Sequence, residues 1–118
     1  MIYHITIIII ILNISLNAQT KYNRVFVSKS TELIVEKIKR INEVMGSAVY
    51  ESGTRPLQYY NFEKLKDIAS TEELLLLTKH PNGVIRCYAF WALSYNKLVD
   101  LFPIVIDHKE DYEVVKTQ

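Results

Sequence analysis

Residues 70–96, STEELLLLTKHPNGVIRCYAFWALSYN, decide the fold, because they read as two apolar helices folded back on each other around His80-Pro81-Asn82-Gly83. Ser70 and Glu73 have the spacing of a capping box, in which a hydroxyl and a carboxylate satisfy the free backbone donors at a helix start. That predicts a helix from Thr71. Pro81 has no amide hydrogen and restrains His80 from helical geometry, so this first helix should stop near Lys79. Asn82 then caps a second helix from Gly83 to Tyr95. Ile85, Ala89, Ala92 and Asn96 share one stripe of it, and Val84, Tyr88, Trp91 and Tyr95 another. Cys87, Phe90 and Ser94 fill the remaining arc, and Arg86 is the only charged residue. A helix apolar nearly all round is buried on several sides, so more than one neighbour must cover it.

The run Leu76-Leu77-Thr78-Lys79-His80-Pro81-Asn82-Gly83-Val84-Ile85-Arg86, followed by Ala89, Ala92 and Leu93, resembles the HEAT-like helical repeat family: an apolar helix, a turn with proline, a Val-Arg type pair and small alanines. The resemblance implies an all-α fold, a short right-handed α-solenoid of about five helices built from stacked hairpins. Pro81, Ile85, Arg86, Ala89, Ala92 and Leu93 would hold the repeat positions, the alanines letting paired helices approach closely. It also implies a scaffold that binds another protein, with no catalysis and no cofactor. One residue departs from the pattern. The turn carries His80 where the family often has an aspartate paired with the repeat arginine, so Arg86 is read as a structural hydrogen-bond donor.

Outward from this centre, residues 1–18, MIYHITIIIIILNISLNA, contain no Lys, Arg, Asp or Glu. Their apolar centre from Ile5 to Leu12 is much shorter than the roughly 20 residues of a membrane-spanning helix. The segment reads as a cleaved signal peptide ending at the small Ala18, with an uncleaved anchor or a piece of the folded core as the other readings. Export to a periplasm or to the outside, and no stable membrane insertion after cleavage, are the expectations. Residues 19–30 are a polar lead-in, and residues 31–118 the repeat domain.

Ser30 is expected to cap a helix from Thr31 to Met45, with Ile34, Ile38, Ile41 and Met45 at helical spacing, a Glu36 to Arg40 pair and Gly46 as its stop. Its polar outer face suits the end of a stack. Residues 46–56 form a loop, and another helix runs from Leu57 to Ala69 with Phe62, Leu65, Ile68 and Ala69 on one face. A further short helix lies between Asn96 and His108, with Pro103 in its first turn. The segment Ile104 to His108, ending in Val114-Val115-Lys116, parallels Leu76 to His80, ending in Val84-Ile85-Arg86, so another helix is expected to begin at Val114. On that reading the stack is truncated or open at its C-terminal end.

With 14 Lys plus Arg against 13 Asp plus Glu, the net charge of +1 supplies no electrostatic argument for nucleic acid or for an acidic membrane. The single cysteine, Cys87, makes neither an internal disulfide nor a multi-cysteine zinc cluster. Cys87 with His80 would need contact and a third orienting group to act as a nucleophile, and His80, Cys87 and His108 match no local metal motif. Tyr88, Trp91 and Tyr95 read as core rather than as the floor of a ligand groove. The surfaces proposed for interaction are Tyr50, Arg55, Tyr59 and Tyr60 in and after the loop, and the apolar Leu101, Phe102 and Val105, through which the chain would bind a protein or a second copy of itself. The competing reading is a small exported enzyme or regulatory domain that uses the 46–60 loop and Cys87.

Overall fold

A computed structural model describes residues 22–118, so the proposed signal peptide falls outside the described residues. The described chain is mostly helical. After a 3-10 turn at Arg24–Phe26 come α1 (Lys29–Ile41), β1 (Glu43–Val44), α2 (Leu57–Ile68), α3 (Thr71–Leu77), α4 (Gly83–Leu93), α5 (Phe102–Asp107) and β2 (Lys116–Thr117). Helix α1 packs on α2 and α3 on α4, while α4 also touches α1, α2 and β1. This gives α4 the many-sided burial that its composition demands: Val84, Ile85, Tyr88, Ala89, Ala92 and Leu93 are all buried. No described helix is long and apolar enough to cross a membrane.

The central capping box forms as expected. The Ser70 N–H donates to Glu73 Oε1 at 3.0 Å and the Glu73 N–H to Ser70 Oγ at 3.1 Å. The other oxygen of Glu73 accepts the Ser28 N–H at 2.7 Å, so one carboxylate fastens the starts of α1 and α3. Burial pushes this carboxyl up, but the Ser70 and Ser28 N–H groups outweigh it and hold Glu73 below the ordinary glutamate value. Asn82 Oδ1 accepts from both Val84 N and Ile85 N, which starts α4.

Helix α1 is shifted from its expected bounds. Ser28, not Ser30, is its N-cap, so the lead-in ends two residues earlier. Helix α1 ends at Ile41, before Gly46, because Asn42 takes the left-handed conformation with φ of 55°. Asparagine tolerates that geometry at a helix end better than most residues. Its Oδ1 also accepts from Asn82 Nδ2 at 2.8 Å, which ties the end of α1 to the start of α4. Glu36 pairs with Lys39 at 3.3 Å in place of the expected Arg40.

Beyond Asn42 the backbone leaves helical geometry and its polar groups are met from a distance. The buried Gln58 donates to the Ile38 carbonyl at 3.1 Å and to the Glu43 carbonyl at 2.9 Å. The Tyr88 hydroxyl accepts the Met45 N–H at 2.7 Å. The Ile38 carbonyl already accepts the Asn42 N–H, so Gln58 adds a second donor there, while Tyr88 meets the Met45 N–H. Phe62, Tyr88 and Trp91 stack at the centre, with ring centroids 5.2 Å apart for Phe62 and Tyr88 and 4.4 Å for Phe62 and Trp91. The core reading of that stripe holds for Tyr88 and Trp91, while Tyr95 stays exposed with Lys66 Nζ 4.4 Å from its ring centroid.

The helix expected to begin at Val114 does not form. Lys116–Thr117 instead pairs as a parallel strand with Glu43–Val44, in the register Glu43 with Lys116 and Val44 with Thr117. Residues 111–115 run across the start of α4, and Val115 packs against the core. The physical reason is local. Asp111, Glu113 and Val115 alternate along an extended chain, so all three reach the body on one side, and Tyr112 and Val114 are left in solvent.

Candidate functional site

The interaction residues expected from sequence fall into two groups. In the first, Pro56 ends the 46–56 loop and α2 starts at Leu57, which brings Tyr59 and Tyr60 onto the first turn beside Arg55. The Arg55 guanidinium carbon lies 5.2 Å from the Tyr59 ring centroid and 5.9 Å from that of Tyr60. Tyr60 is exposed, whereas Tyr59 is half-buried and its ring leans on Phe62 and Trp91. Tyr59 thus belongs mainly to the core. Tyr50 sits in the loop at φ of 62°, where the turn Tyr50 to Gly53 closes and Val49 pairs with Thr54. Its ring is exposed, and Val49 is the loop residue that anchors inward.

The second group lies on α5. Pro103 occupies the first turn as expected. Leu101 packs against the core and Ile104 is buried, which takes Leu101 off the interaction surface. Phe102, Val105 and Ile106 are 68%, 51% and 46% exposed. Their spacing of i, i+3 and i+4 places them on one stripe of the helix. Helix α5 is therefore apolar toward the core and apolar toward solvent.

Between α4 and α5 runs an open groove of about 360 Å³, lined by Thr78, Cys87, Phe90, Ile104, Val105 and His108 among others. Cys87 is exposed at its wall. Partial desolvation pushes its thiol above the ordinary value, with Asp111 and Glu113 adding to the rise against the lowering effect of Arg86. That is the reverse of the depression that activates a thiol nucleophile. His80 is buried against Tyr22, at a ring-centroid separation of 4.7 Å, and its Nδ1 accepts the Asn82 N–H at 2.9 Å. Its imidazole is held neutral, with a pKa lowered to about 4, mainly by desolvation and then by Lys39. No group of three or more His, Cys, Asp or Glu suited to a metal occurs among the described residues.

Arg86 is the structural donor expected from sequence and has a second role besides. Nη1 donates to the carbonyls of His80 and Pro81 at 2.8 and 2.9 Å, as a structural donor should. The rest of the guanidinium meets carboxylates that arrive from the extended segment. Nε and Nη2 make a two-pronged contact with Asp111 at 2.9 and 3.2 Å, and Nη2 also donates to Glu113. Asp111 is held below the usual aspartate value by the Glu113 N–H first and by Arg86 second. The sequence reading missed Asp111 and Glu113 as partners of Arg86, although their alternation with Val115 is the period of a strand.

No protein-family model, curated protein or solved structure matches this chain.

Proposed function

We propose that this chain is a non-catalytic protein-binding scaffold of the HEAT-like kind, exported to a periplasm or secreted, that works by surface complementarity. The pairing of α1 with α2 and of α3 with α4, and the burial of Ala89 and Ala92 in α4, support reading the helices as hairpins of a short right-handed stack. The observation that carries the binding role is the outward stripe of α5. Full burial of an aliphatic or aromatic side chain is worth about 1.5 to 3 kcal/mol, and these three, still about half to two-thirds exposed on one short helix, forgo a part of that each, which favours a protein that covers them.

The partner is a second copy of the chain or a different protein with an apolar face. The test is co-purification from the native source with the tagged chain, together with sedimentation over a dilution series, each repeated with Val105→Lys. Ile104 is unsuitable for this comparison because it is buried and its replacement would disturb the core. The expected result is a partner or a dimer with the unaltered chain that is lost with Val105→Lys, while helical content is unchanged. A monomer at every concentration, with the same co-purifying proteins for both forms, overturns the reading.

A further inference from the structure

The groove that seats residues 111–118 is built almost wholly by the rest of the chain. Arg86 is fixed in place by the His80 and Pro81 carbonyls, which owe nothing to the segment it holds, so its other donors are already aimed outward. The Gly83 N–H at the start of α4 donates to Glu113 Oε1 at 3.3 Å. Gly83 also leaves the space that Val115 and Glu113 fill: a side-chain carbon there would lie 2.8 Å from Val115 Cγ1 and 2.9 Å from Glu113 Cδ. Further along, the half-buried β1 supplies backbone pairing, and the Gln118 N–H donates to the Val44 carbonyl at 3.0 Å. Glu43 Oε1 meets Lys116 Nζ at 2.7 Å.

Taken together these contacts read an extended peptide in order: a carboxylate on Arg86, a second carboxylate two residues on, an aliphatic side chain over Gly83, then a cation on Glu43 with backbone pairing to β1. Main-chain pairing to a strand edge with pockets for alternate side chains is a recurring way of recognising a peptide. Two-pronged arginine to carboxylate contacts add geometric selection.

We propose that this groove is a peptide-recognition site for an extended segment of the pattern Asp-x-Glu-x-Val-Lys, and that residues 111–118 of a second copy of this chain bind it when they displace the segment seated in cis. Tyr112 and Val114 project into solvent and contribute nothing to retention, so the hold on the segment rests on the alternate residues and on two strand pairs. The site is separate from the outward stripe of α5 and stands whether or not that stripe binds a partner.

The probe is a labelled synthetic peptide of residues 109–118, titrated into the full chain and into its Asp111→Asn, Glu113→Gln double variant, whose own segment is weakened. A tethered segment competes at a high effective concentration, so weakening it should tighten peptide binding by about ten-fold or more. Binding should weaken as salt is raised, since the charged contacts are partly exposed. It should be abolished by Arg86→Gln, and also when the peptide itself carries the two amide replacements, a control that does not depend on a protein variant folding. Absence of saturable binding to the double variant that retains its helical content, or equal binding of the amide-substituted peptide, overturns the proposal.

Discussion

Acidification should destabilise the fold through His80 in a window set by one buried imidazole. The unfolded chain protonates this side chain near 6.5, whereas the folded protein holds it neutral down to about 4. Two structural facts require the neutral form. The ring is buried against Tyr22, and Nδ1 accepts the Asn82 N–H, a bond that a proton on Nδ1 would remove. Lys39 and Arg86 add repulsion of a positive charge, opposed in part by Glu36. Because the folded pKa is depressed, the unfolded chain binds more protons between the two values, and stability falls as pH drops. The contribution is fully present above pH 6.5 and lost on passing through pH 4. Worked from the shift, the loss from this group is about 2 kcal/mol at pH 5 and about 3 kcal/mol at pH 4. The assay is urea unfolding from pH 7.5 to 4 for the unaltered chain and for His80→Gln, with the imidazole followed by NMR. Glutamine does not titrate, so the variant's stability curve should be flatter by that difference over the same window. A His80 resonance that titrates at 6.5 or above, or identical pH slopes for the two proteins, would refute the reasoning.

Two further outcomes follow from the packing. Ala89 is buried on α4, so Ala89→Leu should overpack the contact and cost about 1 to 3 kcal/mol, read as a lower thermal midpoint, and an unchanged midpoint would mean that this face has room to spare. Gln58→Leu keeps a similar volume but removes a donor shared by the Ile38 and Glu43 carbonyls and the acceptor of Asn61 Nδ2, so a loss of about 1 to 3 kcal/mol is expected in urea unfolding, and a neutral or stabilising result would show that the Asn42 N–H and the Tyr88 hydroxyl are donors enough for those carbonyls.

How far the fold could be read from sequence follows from the range of each interaction. The capping box of Ser70 and Glu73, the Asn82 cap and Pro103 in the first turn of α5 act within one helical turn, and all three are where their local chemistry puts them. The end of α1 is less legible, because the left-handed Asn42 that stops it competes with an apolar period running on to Met45, and part of what holds the backbone beyond it lies far away in the chain. Ile41 and Met45 fit a helical period, but Gln58 and Tyr88 take up the backbone of residues 38–45 from α2 and α4. A glutamine in the first turn of a mixed helix, or a tyrosine in an apolar stripe, does not announce which backbone group it will meet. The outer stripe of α5 was half legible. A run of apolar residues in a short helix cannot say which face turns inward, so Leu101 was grouped with Phe102 and Val105 although it packs on the core.

The extended segment shows how two periodicities can compete for the same residues. Aligned with Val84-Ile85-Arg86, the run Val114-Val115-Lys116 reads as the start of another repeat helix, and the aligned cation hides the difference. Read from Asp111, the same residues alternate acid, aromatic, acid, aliphatic and aliphatic, and the choice between the two is made by Arg86. The turn before α4 carries His80 and no carboxylate, so the arginine is anchored by two carbonyls but has no anionic partner nearby in sequence. Asp111 and Glu113 supply that charge only if the chain is extended, because side chains two residues apart point to the same side in a strand and to widely separated directions in a helix. The contacts of Arg86 with Asp111 and Glu113 thus go with an extended chain about thirty residues later, and the helix expected at Val114 is replaced by a segment laid across the start of α4.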